Sequence, residues 1–88
     1  MKILVVCGNS LGSSFIMELN VKKALLELGK DAEVAHTDLA SARAEQADIY
    51  IGAGDIIDQL DNGNRTIVRI VNMMSISEIQ SKLEPLLH

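Results

Sequence analysis

The sequence holds one cysteine, one proline, one tyrosine, one phenylalanine and no tryptophan in 88 residues. A lone Cys7 excludes an intramolecular disulfide framework. It also excludes a cysteine-based zinc site, for which only His36 and His88 could assist. With Phe15 and Tyr50 as the only aromatic residues, platforms for stacking nucleobases or sugars are missing. Lys and Arg number 8 against 12 Asp and Glu, a net charge of -4, and no basic block occurs anywhere. The electrostatic footprint of a nucleic-acid binder is therefore absent. Apolar runs such as Ile3 to Cys7 fall far short of the roughly 20 residues a membrane span needs, and the amino-terminal stretch lacks a cleavage pattern. These absences predict a cytoplasmic protein in a reducing compartment, with no nucleic-acid partner and no direct membrane insertion.

What is present is core-forming: 48% of residues are hydrophobic and 23% charged, with a mean hydropathy of +0.20. Residues 1–88 are expected to make a single α/β domain. Residues 2–7 form a β-branched, nearly continuous apolar run, as in a strand buried on both faces. Over residues 13–28 the period changes. Met17, Val21, Ala24, Leu25 and Leu28 share one helical face, and Gly29 caps its end. Strands are expected at 31–36, 47–51 and 67–71, with a short helix or turn at 39–46 and another short helix capped by Asp55. Ser75 and Glu78 read as a capping box before a closing helix that carries Ile76, Ile79, Leu83, Leu86 and Leu87, and Pro85 ends or kinks it. Alternating strands and helices imply a small doubly wound, flavodoxin- or Rossmann-like domain. Its four-stranded parallel sheet is ordered 2-1-3-4, with helices on both faces.

In such sheets ligands bind beyond the carboxyl ends of the strands, and the loop after the first strand is the usual floor. That loop is Cys7-Gly8-Asn9-Ser10-Leu11-Gly12-Ser13-Ser14. It sets a cysteine at a strand end, glycines that let the backbone curl, hydrogen-bonding side chains, and an immediate helix start. Inward amides and the positive end of a helix dipole make a site for a phosphate-sized oxyanion. The same field favours thiolate over the ordinary thiol of pKa ~8.5. A phosphate cradle with a thiolate at its base can form a phosphocysteine. The glycine spacing fits neither G-x-G-x-x-G nor a nucleotide P-loop. A small cysteine phosphatase or arsenate reductase would need an arginine six residues after the cysteine, where this chain has Ser13, and an Asp-Pro general acid, which is also missing. A third reading is a non-catalytic flavodoxin-like interaction module with an unreactive Cys7.

The run Val6-Cys7-Gly8-Asn9-Ser10-Leu11-Gly12-Ser13-Ser14, with Ile16-Met17 and Asn72-Met73-Met74-Ser75, resembles enzyme IIB of the bacterial sugar phosphotransferase system, ascorbate type. It departs from that pattern at Ser10, where glycine is usual, and at Leu11, where a polar residue is common. The resemblance implies a relay in which a phosphohistidine on enzyme IIA phosphorylates Cys7. Cys7 then passes the group to a sugar, ascorbate or a related one, held by the membrane enzyme IIC. It implies residues 8 to 14 as the phosphate-binding loop, no cofactor and no metal. The protein would be cytoplasmic and transiently at the inner face of the membrane.

Other residues carry less chemistry. Phe15, Leu19 and Leu26 form a second apolar stripe on the first helix. The closing helix is expected to cover Leu19 and Leu26, while Leu11 and Phe15 are expected to meet a partner protein. Asp55, Asp58 and Asp61 lack a calcium-loop pattern and read as a cap and a solvated face. His36 ends the second strand and is left outside the site, and residues 72–75 follow the fourth strand at the same sheet edge.

Overall fold

The computed structural model describes residues 1–7, 11–72 and 74–87, with the backbone alone at positions 7 and 11–14. Four parallel strands, β1 (Lys2–Cys7), β2 (Glu33–Asp38), β3 (Ile49–Ala53) and β4 (Ile67–Ile70), form one sheet in the order β2-β1-β3-β4. This is the topology expected from the sequence. Helix α1 (Leu11–Leu28) links β1 to β2, α2 (Leu39–Ala42) follows β2, α3 (Gly54–Ile57) follows β3, and α4 (Ile76–Leu83) follows β4.

Alternation along the strands sorts the apolar side chains into two layers. Ile3, Val5, Ile49, Ile51, Val68 and Ile70 meet Met17, Val21, Ala24 and Leu25 of α1 and Ile79 and Leu83 of α4. On the other face Leu4, Val6 and Tyr50 meet Ala42, Ile57 and Leu60. The long helix and the closing helix therefore share one side of the sheet, and the two short helices take the other.

Helix α1 ends as its glycine predicts. Gly29 sits at φ +70°, its N–H donates to the Leu26 carbonyl at 3.1 Å, and the Lys30 N–H donates to the Leu25 carbonyl at 3.0 Å, a Schellman closure. Pro85 lies in a 3-10 turn, Glu84–Leu86, directly after α4, so the helix stops where its backbone chemistry requires.

Four expectations are corrected. Strands β2 and β3 each begin and end two residues later than their sequence patterns indicated. Asp55 caps nothing: α3 opens at Gly54 behind Ala53, with no side-chain cap, and Asp55 sits in its first turn. The capping box is half formed. Ser75 Oγ accepts from the Glu78 N–H at 3.2 Å, but the Glu78 carboxylate turns away to the end of β4. Leu19 and Leu26 are exposed, Leu26 to 80%. The reason is angular, because α4 packs on the flank of α1 marked by Glu27, whose Oε1 accepts from Gln80 Nε2 at 3.1 Å. Leu26 is about 100° around the helix from Glu27.

At the amino end of the sheet a brace ties the loops. The Tyr50 hydroxyl donates to the Glu45 carbonyl at 2.6 Å and accepts from the Ala47 N–H at 3.1 Å. Arg65 lies over the Tyr50 ring, 5.5 Å from its centre, and donates to the carbonyls of Leu60 and Arg43. The outer edge of β4 is blunted by a lysine, since Lys82 Nζ donates to the Arg69 carbonyl.

Candidate functional site

Cys7 is the last residue of β1, an interior strand, and stands in register with Asp38 at the end of β2. Helix α1 begins at Leu11, only four residues further on. Four Cα steps span at most about 14 Å, so an 18-residue helix presents its positive end close to the cysteine. The expected site residues Gly8, Asn9 and Ser10 lie outside the described residues. Leu11, Gly12, Ser13 and Ser14 form the first turn of α1 in backbone, and their side chains lie outside the description. The sheet thus delivers one interior strand end and one long helix start to the same place, the arrangement that an oxyanion site needs.

Around that point the described side chains are organised on two flanks. On the β2 flank His36 Nδ1 lies 3.0 Å from Glu18 Oε2, and since a carboxylate only accepts, the imidazole donates there. Glu18 is buried, and its other oxygen is 3.9 Å from Lys22 Nζ. The ring of Phe15 meets the His36 ring edge-on, at 6.2 Å and 89°. Phe15, expected at a partner surface, is 51% exposed. Asp38 accepts from the Ser41 N–H at 2.7 Å, and this bond to the start of α2 holds its carboxyl below the usual carboxylate range.

On the β4 flank the link from β4 to α4 is held by a single carboxylate. Glu78 accepts from the Val71 N–H at 2.8 Å and the Asn72 N–H at 2.9 Å, and Lys82 Nζ donates to it at 2.8 Å. The lysine first, then the two amides, pull the Glu78 carboxyl from its ordinary value near 4.5 down to about 2. Asn72 Oδ1 in turn accepts from the Met74 N–H at 3.0 Å. The segment is thereby fixed with Val71 91% and Met74 64% exposed.

On the opposite face, a cleft of about 560 Å³ lies between α2 and α3, with Asp38, Arg43, Asp55 and Gln59 among its lining residues. Among the described residues no three His, Cys, Asp or Glu side chains are grouped to hold a metal ion. Of these residues the sequence pointed to Cys7 and Phe15, left His36 outside the site, and gave no functional signal for Glu18 or Glu78. The Glu18–His36 pair joins residues 18 apart, and no periodic signal marks it. Glu78 was legible only as a capping residue, and its real partners are strand-end amides.

Comparison with known proteins agrees with this geometry. The family model described as "PTS system, Lactose/Cellobiose specific IIB subunit" matches residues 2–85. The ascorbate-specific PTS system EIIB component of Mycoplasma pneumoniae is 30% identical over 88 aligned residues, covering 97% of this chain and 93% of the relative. The protein of the same name from Salmonella typhimurium is 34% identical over 85 residues, covering 93% of this chain and 84% of its own. In structure, the lactose-specific IIB component domain from Streptococcus pneumoniae superposes with a TM-score of 0.62 at 13% identity, covering 98% of this chain and 93% of that one. With its strand order, its strand-end cysteine and a family match over almost its whole length, this chain belongs to the IIB family of the phosphotransferase system.

Proposed function

We propose that Cys7 is the phosphoryl carrier of an ascorbate-class uptake system. The observation that carries this reading is the position of Cys7 at the carboxyl end of an interior strand, four residues before the start of an 18-residue helix. Membership of the IIB family supports it, and relatives 30% and 34% identical bear the ascorbate-specific name.

In the first step the Cys7 thiolate attacks the phosphorus of a phosphohistidine on enzyme IIA. The S–P bond forms as the N–P bond breaks, and the electron pair returns to the imidazole, which takes up a proton. In the second step a hydroxyl of the sugar on the membrane enzyme IIC attacks the same phosphorus. The O–P bond forms, the S–P bond breaks and the thiolate is restored as the hydroxyl proton leaves. Such transfer asks the protein for in-line positioning and charge stabilisation, the role assigned to the amides of residues 8 to 14 and to the helix end. The reading calls on no cofactor. It places the protein in the cytoplasm, transiently at the membrane face where IIC is found. No helix among the described residues is long and apolar enough to cross a membrane.

Phosphorylated IIA mixed with stoichiometric protein tests the reading. Phosphoryl is expected on wild type and not on Cys7→Ser, with no turnover of a generic aryl phosphate. Steady hydrolysis of the aryl phosphate would instead identify a phosphatase.

A further inference from the structure

Among the described residues β4 has β3 as its only strand neighbour, so one side of it is an open edge. Backbone groups of alternate residues in a parallel strand turn to opposite sides. The Thr66 carbonyl accepts from the Tyr50 N–H of β3 at 2.9 Å, so Thr66, Val68 and Ile70 bond toward the sheet. Ile67, Arg69 and Val71 therefore turn their amides and carbonyls outward. A groove of about 760 Å³ runs along this edge, with Ile67, Arg69, Val71, Lys82, Pro85 and Leu86 among its lining residues.

One helix occupies two of the outward groups. Lys82 Nζ donates to the Arg69 carbonyl, where a neighbouring strand would place an N–H. Glu78 Oε2 accepts from the Val71 N–H at 2.8 Å, where that strand would place a carbonyl. The two side chains stand one turn apart on α4 and bond each other at 2.8 Å. Both strand contacts are charge-assisted, and a pairing strand would have to exchange them for neutral bonds.

We propose that the Glu78–Lys82 pair stands in for a fifth strand and closes the β4 edge against a second copy of this chain. The pattern of the edge selects that occupant, because it complements itself. Antiparallel pairing about a twofold axis at Arg69 sets Arg69 of one copy opposite Arg69 of the other, and Ile67 opposite Val71. Every outward amide and carbonyl of the three residues then finds a partner. Val71, 91% exposed, would gain an apolar neighbour across the pair. The opposed arginines are each already matched by Asp58 at 3.0 Å, which lessens their repulsion. What withholds the edge is the occupation of the Arg69 carbonyl and the Val71 amide. The guard is independent of any role of Cys7.

Sedimentation velocity at rising concentration tests the proposal, with folding checked by circular dichroism. Wild type is expected to stay at the 9.6 kDa monomer. Glu78→Ala combined with Lys82→Met frees both groups, and this double variant is expected to self-associate roughly tenfold or more tightly than wild type. Lys82→Met alone keeps the Glu78 contacts and is expected to move in the same direction by a smaller factor. Adding Val71→Pro to the double variant removes a ladder donor and is expected to restore the monomer. Hydrogen exchange on wild type reads the guard without any substitution: the Val71 amide is expected to exchange roughly tenfold or more slowly than the open Ile67 amide. Folded variants that stay monomeric overturn the proposal. So do a dimer that survives Val71→Pro, a wild type already paired through β4, and equal exchange at Val71 and Ile67.

Discussion

Gly52 lies against Val6 with no space for a side chain: a Cβ built on it would stand 2.5 Å from the Val6 carbonyl oxygen. The two residues are in register across β1 and β3, and Val6 immediately precedes Cys7. The strand that ends in the cysteine is thus seated directly on a glycine.

Gly52→Ala should therefore force β1 and β3 apart at the site. The expected cost is about 1–3 kcal/mol, as for other overpacked cores, measured by urea unfolding. Phosphoryl transfer to Cys7 should fall with it, because the added methyl displaces the end of the strand and not only the core. Stability and transfer both equal to wild type would show that the close approach relaxes without consequence.

Glu78 gives a pH signature. Its carboxyl is held near 2 in the folded protein against an ordinary value near 4.5, so its contribution is complete above pH 4.5 and is lost as pH falls toward 2. Glu78→Gln should lower stability near neutral pH by about 1 kcal/mol after solvent screening. The gap between variant and wild type should close between pH 4.5 and 2. Melts across that range check the prediction, and a gap that does not narrow counts against it.

Tyr50 separates folding from function. Its buried hydroxyl serves two backbone groups at the amino end of the sheet, away from Cys7. Tyr50→Phe is expected to cost about 1–2 kcal/mol in chemical denaturation while leaving the rate of phosphoryl transfer unchanged.

Ser13 occupies the position where a cysteine phosphatase would have its arginine. If Cys7 carries the phosphoryl group as proposed, the lack of that guanidinium denies attack by water its bidentate stabilisation and would preserve the phosphocysteine for its acceptor. Ser13→Arg should shorten the lifetime of the phosphorylated protein, followed by intact mass against time. An unchanged lifetime counts against the idea.

Much of the architecture was legible because periodicity and end signals agree. The β-branched run of β1, the apolar face of α1, Gly29, Ser75 and Pro85 all act through neighbours close in sequence. The misplaced boundaries of β3 have a tertiary cause. Gly52 and Ala53 resemble the start of a loop, yet Gly52 belongs to the strand because only a residue without a side chain fits against Val6. The start of β2 is set by pairing with Lys2, which residues 31–36 do not encode by themselves. At the site, Cys7 announced itself by its place before a glycine-rich turn. Glu18, His36 and Glu78 did not, because each acts through a partner that only the folded sheet brings near. The exposure of Leu19 and Leu26 likewise depends on which flank of α1 the closing helix takes.

The central claim is that one sulfur atom carries the phosphoryl group. Incubation with phosphoenolpyruvate, the general phosphotransferase proteins and enzyme IIA, followed by intact mass measurement of wild type and Cys7→Ser, tests it most directly. The account predicts a gain of one phosphoryl mass on wild type and none on Cys7→Ser. An unmodified wild type, or a Cys7→Ser protein that gains the same mass, would contradict it.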